Sequence, residues 1–352
     1  MTTEISGGLS RLKSEVLDSG LCVACGACLG LCPHMIFLDG RLAAPDDCGL
    51  GEGRCWDLCP QAAEPAPDRR RAALARARGL TPEGDYGQVL ALYEARAMEG
   101  ARPAGAQYGG VVSTLLALAL EAGLVGEAVA TGPGPAGAPV GRRLTDPAEA
   151  RALAGSLYAA GAALGEVNRA LAEEADHALA VVGLPCQILA AAAMQSHPRY
   201  PAAGRLKLLI GLFCTLNLDA RRLRSLLAAA GVDAAQVTRA DFPPPPAGVL
   251  QVWSGGKLTE IPLTQVDQAV LAGCRRCPDL TAELADVSVG AREGRPGWNT
   301  LVVRTPAGRE LVELAAEKGL LELHSLPADY LAGLAQAARN KASRARAAWK
   351  ER

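Results

Sequence analysis

Eleven cysteines in a chain of 352 residues fall into two sets, seven between Cys22 and Cys59 and four more at Cys186, Cys214, Cys274 and Cys277. The first set constrains the fold most. The stretch CVACGACLGLCP places Cys22, Cys25, Cys28 and Cys32 at gaps of two, two and three residues, with Pro33 behind the last, and Cys48, Cys55 and Cys59-Pro60 follow. Thiols this closely spaced sit in one loop and converge on a common centre. A disulfide framework needs an oxidising compartment, and the start MTTEISGGLSRLKSE has no apolar leader, so a cytoplasmic chain is expected. Zinc usually takes paired C-x2-C knuckles, not three cysteines at two-residue gaps before a Cys-Pro.

The C-x2-C-x2-C-x3-C-P run is the bacterial ferredoxin signature, in which three thiolates and a distant Cys-Pro hold one cubane while the fourth turns toward a second. Cys22, Cys25, Cys28 and Cys59 are therefore expected to hold one [4Fe-4S] cluster. Gly26 suits a loop that bends around it and aims backbone N–H groups at its sulfurs. Cys32, Cys48 and Cys55 remain for a second cluster, one thiolate short, since a complete motif would carry another cysteine near Gly51. A three-iron cluster, a non-Cys ligand such as Asp46 or Asp47, or no second cluster are the open alternatives.

Lys and Arg number 36 against 37 Asp and Glu, and the net charge of -1 gives no basic excess for nucleic acid or anionic lipid. A hydrophobic fraction of 49% is ample for a core, and the length suits two or three domains. The longest apolar run, VVSTLLALALEAGLV from Val111, contains Glu121 and falls short of the ~20 residues a bilayer demands, so no membrane span is expected. His34, His177, His197 and His324 lie outside the motifs and read as structural or exposed.

Residues 1–65 form the expected ferredoxin-like unit, and 66–84 a Pro-, Ala- and Arg-rich connection whose centre, Asp68 to Arg78, suits a short basic helix. Arg69, Arg70 and Arg71 read as its solvated face rather than a phosphate grip. From residue 85 the pattern becomes α/β, giving an α+β or α/β chain with a mixed sheet. QVLALYEARA suits a strand, Gly109-Gly110 leads into a helix from Val111 to about Ala122, and EAVATG resumes strand character. A helix start behind a double glycine can receive a phosphate, because unpaired N–H groups and the dipole's positive end point outward, although such a pair is more commonly a turn. A helix from about Ala148 to Glu174 follows. Buried strands over Ala178 to Val182 and Leu206 to Leu212 then deliver Gly183 to Gln187 and Cys214 at their ends, where α/β sheets carry sites. VLQVWSGGKLTEIPL reads as a hairpin turning at Ser254 to Lys257, and residues 329–352 as a charged helical tail.

Cys186, Cys214, Cys274 and Cys277 group only if the fold brings them together. From spacing alone a shared cluster stands beside two alternatives, buried hydrophobic cysteines for the first two and a redox dithiol for the C-x2-C pair. No helix start follows Cys277, only Pro278 and Asp279, which weakens the dithiol reading.

At GGVVSTLLALALEAGLV, VVGLPCQ, KLLIGLFC and CRRCPDLTAELADVSVGAREGRPGWNTLVVRT the chain resembles the coenzyme F420 hydrogenase/dehydrogenase beta-subunit family, over about residues 85 to 325. This family includes beta subunits of F420-reducing hydrogenase and formate dehydrogenase and the flavin module of F420H2 dehydrogenase. The resemblance implies FAD, bound in the part spanning 85–170, beside a [4Fe-4S] cluster on Cys186, Cys214, Cys274 and Cys277 in the part spanning 171–328. By motif, Gly109, Gly110, Ser113 and Thr114 would cradle the FAD phosphates, the segment from Gly155 through Ser156 to Tyr158 would line the flavin, and Gly290 to Trp298, with Asn299, would close over it. Asp279 and Glu283 fall in the matching signature, as site residues or as groups that orient the loop or pair with an Arg. Members that reduce F420 tend to have an acidic residue before the double glycine and a Lys in the second segment, where this chain has Tyr108 and Leu157. Losing a cation beside a polyanionic cofactor argues against F420 as substrate without excluding it.

The function implied is an iron–sulfur flavoprotein oxidoreductase passing electrons between a hydride carrier, F420H2 or NAD(P)H, and clusters leading to ferredoxin or to a hydrogenase, formate dehydrogenase or heterodisulfide-reductase-like partner. The rivals are a flavin reductase acting on an organic substrate and an electron-transfer subunit without a substrate site.

Overall fold

The computed structural model describes residues 8–62, 67–82, 84–134, 138–244 and 246–350. The first seven residues of the leader reading, and the expected boundary at 65 and 66, lie outside them. The cysteine-rich segment forms little regular structure beyond a short hairpin of β1, Ile36–Leu38, and β2, Arg41–Ala43. The body opens with β3, Ala91–Ala97; β4, Glu127–Pro133; β5, Pro139–Leu144; β6, Leu179–Gly183; and β7, Leu206–Leu212. Then follow β8, Val237–Asp241; β9, Val249–Ser254; β10, Lys257–Pro262; β11, Val287–Ala291; β12, Asn299–Val303; and β13, Leu321–Ser325.

Eight of these strands form one mixed sheet in the order β13-β3-β12-β11-β7-β6-β4-β5, parallel at its centre and antiparallel at both edges. The expected mixed-sheet α/β body is thus present. β6 and β12 are buried along their whole length because helices cover both faces. Alternation sorts the core. Ala128, Ala180, Val182, Leu208 and Ile210 point toward the Val111–Glu121 and Pro306–Glu317 helices, whereas Val129, Leu179, Val181 and Leu209 point toward Leu164–Ala172 and Pro185–Ser196. Val23, Ala24, Cys25, Ala27 and Leu58 of the cysteine-rich segment belong to that second core. β8, β9 and β10 make a separate three-stranded sheet. The β9–β10 hairpin turns through Gly255 and Gly256, both at positive φ, as a two-residue turn demands.

Two expectations are corrected. The single helix from Ala148 to Glu174 is two helices, Pro147–Ala152 and Leu164–Ala172. Gly155, at φ +123, takes a conformation closed to other residues, and the chain then runs extended so that Ala159 bridges to Leu218. Of the arginine cluster only Arg69 is exposed as a solvated face would be; Arg70 and Arg71 are not. The connection contains a helix, Pro67–Ala77, on which Arg70 is buried and donates to the Asp57 and Cys59 carbonyls. Arg71 pairs with Glu283 at 3.4 Å, and Arg78, beyond the helix, pairs with Asp286 at 2.9 Å. These three arginines bind the cysteine-rich segment and its connection to the body.

Candidate functional site

None of the eleven cysteines is disulfide-bonded. Cys22, Cys25, Cys28 and Cys59 line one small cavity of about 20 Å³, walled otherwise by Leu12, Val16, Val23, Ala27 and Leu42. Burial pushes the Cys22 thiol up to about 12 and raises Cys25, Cys28 and Cys59 as well. Thiols so placed ionise only when a cation arrives, and metal coordination deprotonates a thiol outright. The Ala24 amide donates to the Cys22 sulfur at 3.3 Å, as a cluster-binding loop would arrange. Gly26, at φ +88, has its Cα so close to the Ala162 carbonyl that a side chain would overlap it. The Ala162 amide donates to Ala24 at 3.0 Å, and both alanines hold the left-handed conformation that non-glycine residues seldom adopt.

Cys55 lies within electrostatic reach of Cys32 and Cys48, and burial raises its thiol to about 11. These are the three cysteines left over from the first centre. Asp47, one of the two suggested substitutes for a fourth thiol, is exposed and accepts from Ser10 and, at 3.3 Å, from the Gly49 amide.

The dispersed cysteines also converge. Cys186 is the second residue of the Pro185–Ser196 helix, Cys214 follows β7, and Cys274 and Cys277 span a tight turn at Ala272–Arg276. Cys186 is in electrostatic reach of Cys214, Cys274 and Cys277, and also of Cys25 from the first centre. Burial is the largest influence on this set too, raising Cys186 and Cys214 and pushing Cys274 up to about 12. Among the described residues no three His, Cys, Asp or Glu side chains converge to hold a single metal ion; a cubane instead spreads its thiolates over separate irons.

The two centres are locked together. Gln61, behind Cys59-Pro60, donates 3.1 Å to the carbonyl of Gly273, the residue before Cys274. Asn168 donates to Ala27 and Leu29 at 2.9 and 2.7 Å and accepts from the Tyr200 hydroxyl at 2.9 Å. The Cys277 loop is held by the Asp279 carboxylate, which accepts the Thr281 and Glu283 amides, each at 3.0 Å. In this structure Asp279 orients its loop and Glu283 pairs with an arginine. Arg304, wholly buried, spans the Ser288 and Thr281 hydroxyls and the Tyr86, Gln88 and Thr281 carbonyls.

Sequence reading overlooked the tail's part in this. The Ala328–Lys350 helix sends Lys341 to the carbonyls of Cys214 and Asp279, Arg344 to that of Thr215 and Trp349 to that of Arg276. Leu334, Ala338, Lys341 and Ala345 are its buried residues, so a lysine occupies an apolar helical stripe, and that misplacement was the available signal.

The residues expected around FAD lie at the start of the Val111–Glu121 helix, on or beside β11 and β12, and in the 155–158 segment. Gly110, at φ +75, caps the Val111–Glu121 helix, and Gly109 lies so near Asn299 and Ala95 that a side chain there would collide. Asn299 accepts the Val111 amide at 3.4 Å and donates to the Gly290 carbonyl at 2.9 Å, tying the helix start to β11 and β12. Gly290 packs against Phe213. Thr114 is buried with its hydroxyl 3.4 Å from the Ala101 carbonyl, while Ser113 is half-buried. Trp298 is buried between the guanidinium groups of Arg96 and Arg295. Tyr158 stacks edge-on against Phe242 and shares Asp241 with Tyr108, whose hydroxyl lies 2.5 Å from that carboxylate. Ser156, Leu157 and Tyr158 form one wall of an apolar cavity of about 140 Å³, facing Leu223, Leu227, Val237, Leu250 and Val252 with Arg224 and Arg239 among its lining. The strand past Tyr158 pairs with Leu218, and the Leu271 amide reaches Asn217, so this cavity adjoins the Cys274 turn.

Residues 92–167 match the family model for the N-terminal part of the coenzyme F420 hydrogenase/dehydrogenase beta subunit, and 176–329 match the model for its C-terminal part. The chain is 31% identical over 332 residues to the coenzyme F420-dependent sulfite reductase of Methanocaldococcus jannaschii, covering 89% of this chain but only 49% of the relative, about half its length. It is 31% identical to the beta chain of the coenzyme F420 hydrogenase of Methanothermobacter thermautotrophicus over 62% of this chain and 78% of the relative. Identity to one of the F(420)H(2) dehydrogenase subunits of Methanosarcina mazei is 25%, over 87% and 85%. A chain of the F420-reducing [NiFe] hydrogenase complex from Methanosarcina barkeri superposes with a TM-score of 0.70 at 24% identity, over 77% of this chain and 94% of that one, and so shares the fold. With both halves of the body matched, this chain belongs to the coenzyme F420 hydrogenase/dehydrogenase beta-subunit family.

Proposed function

We propose that this protein is an iron–sulfur flavoprotein oxidoreductase, one component of a larger complex, that carries electrons between a hydride carrier and a redox partner. The observation that carries the proposal is the serial arrangement of thiols, with Cys25 of the first group within reach of Cys186 of the dispersed group. Relatives named for F420-dependent hydrogenase, dehydrogenase and sulfite-reductase chemistry support an oxidoreductase acting within a complex. Bound FAD would take up a hydride as an electron pair and release single electrons to [4Fe-4S] clusters.

The protein's own residues divide the work. Cys186, Cys214, Cys274 and Cys277 hold the cluster nearest the flavin, and Cys22, Cys25, Cys28 and Cys59 the next. Cys32, Cys48 and Cys55 hold a third centre toward the partner. The Gly109-Gly110 helix start, with Ser113, meets the FAD phosphates, and Ser156 and Tyr158 border the ring. Asn299 keeps that helix start in place, and a hydride carrier, F420H2 or NAD(P)H, would meet Arg224 and Arg239 only in competition with their partners Asp39 and Asp241. No catalytic acid or base is assigned. Ferredoxin, or a hydrogenase, formate dehydrogenase or heterodisulfide-reductase-like partner, receives the electrons. Among the described residues no helix is long and apolar enough to cross a membrane, and we place the protein in the cytoplasm.

The apolar cavity beside Leu157 favours one second reading, a flavin reductase acting on an organic substrate. Anaerobic purification with iron, sulfide and flavin quantification, followed by reduction with F420H2, NADH and NADPH, separates the readings. Flavin release on denaturation and reduction by one of the three carriers is expected. Iron–sulfur absorption without flavin would leave a pure electron-transfer protein, and absence of iron would end the proposal.

A further inference from the structure

We propose that Lys341 sets the reduction potential of the Cys186/Cys214/Cys274/Cys277 centre, holding it more positive than its ligands alone would. The inference rests on the reading of those four thiols as cluster ligands given above.

Lys341 is only 4% exposed, and lysine is almost never buried without a partner of opposite charge. The two acceptors of its ammonium are neutral, the carbonyls of Cys214 and Asp279. The nearby Asp279 carboxylate is engaged by the Thr281 and Glu283 amides, and no carboxylate forms an ion pair with Lys341 among the described residues. A buried ammonium without an ion pair is costly. The groups facing it are the thiols of Cys277, Cys214 and Cys274 together with Asp279. A cluster on four thiolates carries net negative charge and supplies the missing counter-ion.

The position is rigid. Arg344 and Trp349 fasten the same helix to the carbonyls of Thr215 and Arg276, so the tail grips both ligand-bearing loops beside Lys341. Each electron entering the centre adds negative charge, and a fixed cation in a poorly polarisable interior favours the reduced form over the oxidised one. Arg70 holds the corresponding place at the first group, donating to the Asp57 and Cys59 carbonyls from a different helix. These two centres therefore each have a buried cation of their own, and their potentials are adjustable separately.

The test is an EPR-monitored redox titration of the anaerobically purified full chain, with iron and sulfide quantified for each variant. Cys274→Ser identifies the midpoint belonging to the centre, as the signal it abolishes. Lys341→Met is expected to retain wild-type iron and to move that midpoint to a more negative potential, leaving the remaining midpoints in place. Lys341→Arg is expected to restore most of the shift. Should Lys341→Met lose iron, Lys341→Gln keeps a donor for the carbonyls without the charge and is expected to show the same negative shift. A midpoint unchanged in a fully loaded Met or Gln variant, or a shift that arginine does not reverse, overturns the inference. A wild-type protein lacking the Cys274-dependent signal instead overturns the cluster reading on which it rests.

Discussion

Replacing Gly273 with alanine probes the junction between the two thiol centres. Gly273 precedes Cys274 and faces Leu21, which precedes Cys22. A β-carbon there would overlap the Leu21 carbonyl oxygen and sit 2.7 Å from Val23 Cγ1 and 3.0 Å from the Leu21 carbonyl carbon. The obstacle is mostly main chain and cannot rotate away, so the loops must separate. Overpacking of this kind costs about 1–3 kcal/mol, while loss of glycine's freedom in the unfolded chain returns about 0.4–1 kcal/mol. The net expectation is a destabilisation of roughly 1–2 kcal/mol. Gly333, inside the Ala328–Lys350 helix with nothing within 4 Å of its added carbon, provides the opposite sign. Alanine there should stabilise by about 0.5–1 kcal/mol. Thermal unfolding of anaerobic samples with matched iron content should rank Gly333→Ala above wild type and wild type above Gly273→Ala, with shifts of about 1–2 °C per kcal/mol for a chain of this length. A Gly273→Ala protein that melts at or above wild type would refute the close approach.

Cys59→Ser should lower iron content while leaving the Cys274-dependent signal, as measured by iron assay and EPR. Arg304→Leu strands five polar partners in a buried site and should destabilise by about 3–5 kcal/mol, seen as loss of soluble protein or a large drop in melting temperature. Asn299→Ala leaves the Val111 amide and Gly290 carbonyl unpaired, and a loss of about 1–3 kcal/mol in denaturant titration is expected. Burial, and then Asp279, push the Glu283 carboxyl up to about 7 from near 4.5. Between those values the folded protein keeps a proton that the unfolded chain releases, so this group's contribution falls as pH rises through that window. Glu283→Gln should flatten the decline, as read from melting temperatures across the same range.

Much of the body was legible because its elements have local causes. The double glycine before Val111, the apolar Leu208 to Leu212 and the Gly255-Gly256 turn each dictate their geometry within a few residues. The cysteine grouping came from spacing at the front, whereas in the body spacing left it open and the family resemblance implied it. What failed was non-local. The run from Ala148 to Glu174 is rich in alanine and leucine, which favour helix, yet Gly155 and the pairing of Ala159 with Leu218 pull its middle straight. Arg70 and Arg71 look like ordinary surface charge until the Cys59 carbonyl and Glu283 arrive from elsewhere in the chain. For Lys341 the misplaced charge was visible, but its partners lie 62 and 127 residues away.

The core shared by Val23, Cys25 and Leu58 with Val181 and Ile188 means that the front segment is no detachable shuttle. A ferredoxin that diffuses or swings must leave its donor with both surfaces wetted, whereas here separation would strip an oily seam on each side. In the proposed relay, electrons would therefore cross a gap whose width is set once, at folding. Grafting a foreign ferredoxin onto this body would require remaking that seam, not merely matching the iron-binding loop.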